Sequence, residues 1–425
     1  MRSLLSRLLA LVILLDTLFL LEASAIPPGE IFDYQVESLI SPYQFSFTLW
    51  EAKALWRKLS TLASGSPADE KKLVKEYFDL LEEKSRKKEL LSELYASERT
   101  RYSGLAIWWV EEELKALRQR QAALSPVVEK ILAKQISEIL REEGLATSSF
   151  IWPPLSIQFE SPPHYLVIAP RDALVIRKGI FLKPGMALKE QEALEEEIDR
   201  LFNVSSLVVD VGGLSSYPAM ILDYPSLEFA LQASAHEWMH HYLFFHPLGW
   251  HYDDSPEMRT INETVASIAG DEIGLKALRR FYPELAPPPK EEEEKGAEEP
   301  VISEFQLLMR ETRLKVEELL KAGDIEGAER YMEERRKLLV SKGYYIRKLN
   351  QAFFAFFGSY AAEPGHPDPI GEKLRLLRKK AGSLKEFIQL VEGISSPGGL
   401  DKALEQVQHS QPSAGDCFRH SAPLQ

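Results

Sequence analysis

This chain contains almost no cysteine. Its single thiol is Cys417, close to the C-terminus of the 425-residue sequence. One cysteine excludes an internal disulfide framework and any metal site built from thiolates. A metal bound by this chain would therefore be held by histidine and carboxylate groups.

The sequence also lacks an excess of positive charge. Its 64 acidic side chains outnumber its 51 basic ones, and the net charge is −13. The basic residues are scattered and form no single stripe, so the surface would repel a phosphate backbone, and we expect no nucleic-acid partner. The hydrophobic fraction of 45% and charged fraction of 27% are typical of a globular protein.

A long apolar run stands at the N-terminus. Arg2 and Arg7 precede an apolar segment at residues 8–21, which the small residues of Ala23-Ser24-Ala25 follow. This pattern is typical of a secretory signal peptide. We expect residues 1–25 to be a cleaved signal peptide, or else an anchor that attaches the protein to a membrane. Either alternative predicts an exported protein that is secreted, periplasmic or at the cell surface.

The remaining chain predicts a helix-rich α+β fold. Helical periodicity at 26–150 indicates a helical domain or a helical brace, and short apolar segments at 151–285 predict a central mixed sheet packed against two helices. We then expect an acidic, Pro-rich linker at 286–303, a C-terminal helical region at 304–395 and a disordered tail at 396–425. In the C-terminal region, helices are predicted at 305–321, 325–342, 344–360 and 374–390.

One motif indicates a metal-binding site. Residues 236–240 have the sequence His-Glu-Trp-Met-His, an HExxH pattern within a nearly uncharged predicted helix at 227–245. Residues four apart share a helical face, so His236 and His240 can bind one metal ion while Glu237 reaches its open side. Imidazole and carboxylate ligands without a thiolate favour Zn²⁺, one ion per chain.

A catalytic zinc needs a third protein ligand and keeps one position for water. The Asp-Asp-Ser-Pro-Glu segment at 253–257 predicts the start of a second helix. Glu263, in that helix, follows His240 by 23 residues, which allows the second helix to pack antiparallel to the first. Apolar neighbours such as Val265 mark the buried face, and we predict Glu263 as the third ligand.

HExxH followed by NExxA resembles the gluzincin metallopeptidases. The matching residues are His236, Glu237, His240, Asn262, Glu263 and Ala266. The resemblance implies that the Glu of the second motif is the third zinc ligand and that Asn262 supports the site. Some gluzincins have an acid one turn beyond this ligand that orients the first histidine. Here that position is Ser267, and we expect Asp271, two turns beyond, to substitute.

A second, more diffuse resemblance extends outside the two motifs. The segments 213–217 and 349–352, together with Tyr360, are similar to a group of predicted bacterial zinc aminopeptidases. This similarity implies an aminopeptidase-like activity on a peptide or protein substrate. Gly213 and Leu214 are predicted to bind substrate as a sheet edge, although a simple turn between two strands is equally compatible with the sequence.

The implied reaction is hydrolysis of a peptide bond. Glu237 would accept a proton from a zinc-activated water and deliver it to the leaving amine. The oxyanion needs a further donor, and the candidates are Tyr360, Tyr345, Tyr217, His251 and His246. Tyr360 is favoured because it follows the helix that shares the second resemblance. His241 is expected to be a packed histidine.

Two questions stay open at this point. An aminopeptidase needs an acid that holds the substrate α-amine, and Asp210, Asp223 and Glu257 cannot be ranked, so an endopeptidase is an alternative. The chain could also be a non-catalytic cell-surface scaffold or binding protein with a structural or vestigial metal. Three candidate ligands favour the enzyme, because a structural zinc normally has four.

Overall fold

The computed structural model of the chain describes residues 31–61, 69–96, 101–146, 150–288, 304–358 and 370–410. These residues form fourteen helices and two three-stranded sheets, which confirms the helix-rich α+β fold. The predicted signal segment, residues 289–303 of the predicted linker, and Tyr360 lie outside the described residues. Within the described ranges, no helix is both long enough and apolar enough to cross a bilayer.

Four helices precede the sheets: α1 (Ile31–Ile40), α2 (Phe47–Thr61), α3 (Glu70–Ala96) and α4 (Arg101–Glu142). Helices α3 and α4 pack against each other. Tyr77 of α3 and Ile136 of α4 belong to the same hydrophobic core as residues of the HExxH helix. These two helices therefore brace the central region and share its core.

The central region contains β1 (Ile157–Phe159), β2 (His164–Pro170), β3 (Lys178–Leu182), α5 (Leu188–Phe202), β4 (Val204–Val209), β5 (Gly213–Leu214) and β6 (Ala219–Ile221). The sequence predicted a central mixed sheet, and the strands form two sheets, of which one is mixed. One is antiparallel, in the order β3-β2-β4, and the other is mixed, in the order β1-β6-β5. The chain leaves the first sheet after Val209 and pairs Gly213 with Ile221 in the second.

Three helices follow: α6 (Leu227–Leu243), α7 (Pro247–Trp250) and α8 (Pro256–Phe281). Ser226 and Ser255 cap α6 and α8, since each side-chain oxygen accepts a hydrogen bond from a backbone N–H three residues on. The cap at Ser255, with Pro256 in the first turn, confirms the helix start predicted from the sequence.

Helices α6 and α8 pack closely at two glycines. A Cβ atom on Gly270 would lie 2.9 Å from both the Gln232 carbonyl oxygen and the His236 Cβ. A Cβ atom on Gly274 would lie 2.7 Å from the Cα of Gln232. A real Cβ atom does not come this close to neighbouring heavy atoms. Only glycine therefore permits the close approach of the two backbones at the HExxH motif.

The C-terminal helices are α9 (Glu304–Lys321), α10 (Ile325–Ser341), α11 (Gln351–Phe357), α12 (Ile370–Lys380), α13 (Leu384–Val391) and α14 (Gly398–Ser410). The helix predicted from residue 344 begins only at Gln351, where the Asn350 side chain caps it. Before this cap, Arg347 extends to an ion pair with Glu195 of α5, and the chain is irregular. The helix predicted at 374–390 is interrupted, and Ser383 caps its second part.

The prediction of disorder from residue 396 is wrong for the part of the tail that the structure describes. Helix α14 buries Leu400, Ala403, Leu404 and Val407 against the main core. These residues have helical spacing on one face, and their burial stabilises the helix. Residues 411–425 lie outside the described ranges.

We expect Gly270→Ala to destabilise the fold by about 1–3 kcal/mol, because the added methyl group would overpack the contact between α6 and α8. Gly393→Ala is the matched control, since a Cβ atom there would meet no atom within 4 Å. Urea unfolding of both variants measures the difference. A Gly270→Ala protein as stable as the control would contradict the tight crossing.

Candidate metal centre

The two helices bring the three predicted ligands together. The Nε2 atoms of His236 and His240 lie 3.0 Å apart, and the Glu263 Oε2 atom lies 3.5 and 3.4 Å from them, respectively. A tetrahedral zinc with ligand bonds of about 2.0–2.1 Å would separate its ligand atoms by about 3.3 Å. The three atoms therefore have the spacing of one face of a tetrahedral zinc site.

The other ring nitrogens have partners that orient both imidazoles. His240 Nδ1 lies 2.9 Å from the Asn262 side-chain oxygen, and the Asn262 amide donates to the Leu248 carbonyl. An Nδ1–H donated to Asn262 leaves the His240 Nε2 lone pair directed into the cluster, as metal binding requires. His236 Nδ1 lies 3.5 Å from the Ser267 hydroxyl. Ser267, one turn beyond Glu263, thus makes the contact with His236 that we expected of Asp271.

The cluster strongly favours positive charge. Burial would raise the pKa of Glu263, but the facing imidazoles, above all His240, hold it well below its ordinary value. Burial likewise opposes charge on His240, yet Glu263 outweighs it and raises the pKa of that imidazole to about 9. The Tyr252 hydroxyl donates to the second Glu263 oxygen at 2.6 Å, which leaves Oε2 facing the histidines. A metal cation would supply the positive charge that this arrangement attracts.

Glu237 is buried beside the cluster but does not belong to it. The Ser215 hydroxyl donates a hydrogen bond to its Oε2 atom. Its Oε1 atom fills the space next to Gly213, where an added Cβ would lie only 2.3 Å away. The strand β5 and the residue that follows it therefore hold this carboxylate at a fixed position.

The cluster lies in a cleft of about 1070 Å³. Aromatic side chains form one wall of the cleft. In this wall, the ring centroid of Tyr165 lies 4.7 Å from that of Phe181 and 5.8 Å from that of Phe356. Gly213 and Leu214 also line the cleft, and β5 is an edge strand of its sheet. This is the position that the sequence predicted for a substrate-binding edge.

Of the candidate oxyanion donors in the described residues, Tyr217 is the one that lines the cleft. Tyr360 lies outside the described residues. The other three have different surroundings: Tyr345 is 91% exposed, His251 bonds Asp254, and His246 stacks on Tyr242. His241, expected to be a packed histidine, contacts the Ser216 carbonyl at 2.9 Å through Nε2 and also lines the cleft.

The structure also separates the candidate amine-binding acids. The Asp223 carboxylate accepts hydrogen bonds from Lys84, Gln121 and Tyr77, away from the cluster. Glu257 is exposed at the start of α8 and does not line the cleft. Asp210 lines the cleft but contacts His164 at 2.5 Å.

Three residues of the site were missed in the sequence: Ser215, Tyr252 and Arg259. Arg259 lies one turn before Glu263 on α8, lines the cleft and pairs with Asp253. Its helical spacing from Glu263 was a usable signal. Ser215 and Tyr252 reach the site from loops. Ser215 lies in the 213–217 segment of the second resemblance, which gave it no role, and no local pattern marks Tyr252.

No protein-family model matches this chain, and no curated protein or solved structure is detectably similar to it.

We expect zinc-loaded protein to retain one zinc per chain after dialysis and Glu263→Ala to lose it, because two imidazoles alone bind zinc weakly. Tyr252→Phe should keep the ion but bind it about 10- to 100-fold more weakly, since Glu263 loses an orienting hydrogen bond. Emission spectrometry and titration with a competing chelator measure these changes. Tyr345→Phe, at an exposed tyrosine, is the control. Equal zinc retention in wild type and Glu263→Ala would exclude Glu263 as a ligand.

Proposed function

We propose that this protein is an exported, zinc-dependent metallopeptidase that hydrolyses peptide bonds in a peptide or protein substrate. The proposal is supported above all by one juxtaposition: a cluster of three potential ligands and a separate, buried carboxylate, Glu237, in the same open cleft. His236, His240 and Glu263 would hold the zinc, one ion per chain. Export follows from the expected role of residues 1–25 as a signal or anchor.

Zinc, when bound, would act as a Lewis acid that activates water and polarises a carbonyl group. Glu237 would take the proton from the attacking water and transfer it to the leaving amine. The Ser215 hydroxyl, which donates to Glu237, leaves its other oxygen available for this transfer. Among the donors proposed from the sequence, Tyr217 is the described one that lines the cleft and would donate to the developing oxyanion, while Tyr360 stays a candidate from the sequence.

The number of ligands favours catalysis over a structural metal. A structural zinc is normally closed by four protein ligands, whereas a catalytic zinc keeps one position for water. In the described part of the chain, only His236, His240 and Glu263 form a cluster of potential metal ligands. The non-catalytic scaffold is therefore the weaker alternative.

The cleft is suited to an extended peptide. Its volume of about 1070 Å³ is at the upper end of the range for small-molecule pockets. The edge strand β5 offers backbone groups beside Glu237, and the aromatic wall offers a surface for apolar side chains. Side-chain preference would thus come from the wall, while β5 would align the substrate backbone.

We expect Glu237→Gln to lower kcat by about 10²–10⁴-fold, because the amide cannot accept the proton from water. Zinc content should be unchanged, since Glu237 is not in the ligand cluster. A mixture of unrelated peptides, analysed by mass spectrometry with zinc-loaded protein, measures hydrolysis. Wild-type protein that binds zinc but cleaves no peptide would contradict the proposed function. So would a Glu237→Gln variant with wild-type activity.

We expect Gly213→Ala to reduce kcat by about 100-fold, because its methyl group would displace the Glu237 carboxylate. The neighbouring Gly212→Ala is the matched control, since its Cβ would meet the Phe229 ring at an ordinary 3.4 Å. Steady-state kinetics of both variants on one peptide measures the effect. Similar losses in the two variants would show that the contact between Gly213 and Glu237 has no special role.

A further inference from the structure

One basic side chain in an acidic cleft has no role in the proposed catalysis. The described residues that line the cleft include five carboxylates but only one lysine or arginine, which is Arg259. The side chain of Arg259 is only 24% exposed, whereas that of its ion-pair partner, Asp253, is 79% exposed. A pair with so exposed a carboxylate contributes little free energy. A partly desolvated cation of this kind gains from a further anion in the cleft.

The guanidinium group keeps hydrogen-bond donors for such an anion. An arginine side chain has five N–H groups in a planar fork. The Arg259 Nη2 atom donates to Asp253 at 2.6 Å, while Nε and Nη1 make no hydrogen bond with any residue that the structure describes. Two N–H groups of the fork match the two oxygens of a carboxylate. Arg259 can therefore bind a carboxylate group of a ligand in the cleft.

Arg259 is held close to the metal cluster. Its guanidinium carbon lies 5.3 Å from the centre of the Tyr252 ring, and the Tyr252 hydroxyl donates to Glu263 at 2.6 Å. One tyrosine thus connects the cation with a proposed metal ligand. Arg259 also precedes Glu263 by four residues on α8, which is about 6 Å along the helix axis. An extended peptide covers this length with about two residues.

This distance indicates which part of a peptide would reach Arg259. A substrate whose scissile carbonyl lies at the cluster would present to Arg259 a group one or two residues away. The C-terminal carboxylate lies on the substrate backbone and has the charge and the two oxygens that the fork matches. Building on the proposed function, we propose that Arg259 binds the C-terminal carboxylate of the peptide substrate. The enzyme is then an exopeptidase that releases one or two residues from the C-terminus.

Binding can be measured without turnover in the zinc-loaded Glu237→Gln protein. The probe is one hexapeptide without acidic side chains, prepared with a free and with an amidated C-terminus, and the method is isothermal titration calorimetry. We expect the free form to bind at least about tenfold more tightly, because amidation removes a charged hydrogen-bonded pair. Adding Arg259→Gln should abolish this preference. Adding Arg259→Lys should keep only part of it, since lysine retains the charge but not the planar fork.

Two further variants separate recognition from a structural role of Arg259. Asp253→Asn breaks the ion pair but leaves Arg259 in place, so the preference for the free C-terminus should persist or increase. Equal losses of preference in Asp253→Asn and Arg259→Gln would show that Arg259 only anchors the start of α8. Arg375→Gln removes an exposed arginine of α12 outside the cleft and should leave binding unchanged. All variants should retain zinc, since none of the three residues belongs to the ligand cluster.

The outcomes separate the two proposals. Equal binding of both peptides, no binding of either, or a preference that survives Arg259→Gln would overturn the carboxylate site. So would an amidated peptide ending in glutamate that binds as tightly as the free form, because Arg259 would then bind an acidic side chain. Wild-type protein should release one or two residues from the C-terminus of the free peptide, and equally fast cleavage of the amidated form would contradict this. If wild type cleaves neither peptide but the Arg259-dependent preference is present, the peptidase fails and the carboxylate site stands.

Discussion

The close crossing of α6 and α8 is the constraint on which the site depends. Two proposed ligands come from α6 and the third comes from α8, so ligand atoms 3.4–3.5 Å apart require helix backbones in contact. Gly270 permits this contact directly beside His236. The same approach brings Asn262 and Ser267 to the outer nitrogens of the two imidazoles. One packing arrangement thus sets both the ligand distances and the ring orientations.

The crossing also explains how two buried glutamates can have different roles. Glu263 faces two imidazoles and accepts a hydrogen bond from Tyr252, so its negative charge is strongly stabilised. Glu237 points toward β5 and is held by Ser215 next to Gly213. A carboxylate that faces two imidazoles suits metal binding, whereas one beside an open cleft is available for proton transfer. Their environments, and not their residue type, distinguish them.

The sequence predicted the features that depend on helical spacing. His236, Glu237 and His240 lie within one turn of a helix, and Glu263 lies on a helix with a recognisable cap, so their convergence followed from local rules. The spacing of Leu400 and Val407 also marked α14, but the polar composition of the tail obscured it.

The features that the sequence did not predict depend on contacts between distant segments. The division of the strands into two sheets depends on pairing between Gly213 and Ile221, and no alternation of apolar residues reveals that pairing. Tyr252 and Ser215 reach the glutamates from loops, where the direction of a side chain depends on the whole fold. Arg347, bound to Glu195, belongs to an irregular segment where the apolar pattern suggested helix.

The cleft divides recognition between separate elements. The aromatic wall is built from β2, β3 and α11, which can vary in side-chain size without disturbing the ligands. Helix α8 carries Glu263 and Ser267 on the face that lines the cleft, and both contact the imidazoles of α6. Because Glu263 and Ser267 share one helix, the distance between them cannot change through loop motion. In the proposed peptidase, the wall would therefore select substrate side chains while the helix keeps the ligand geometry fixed.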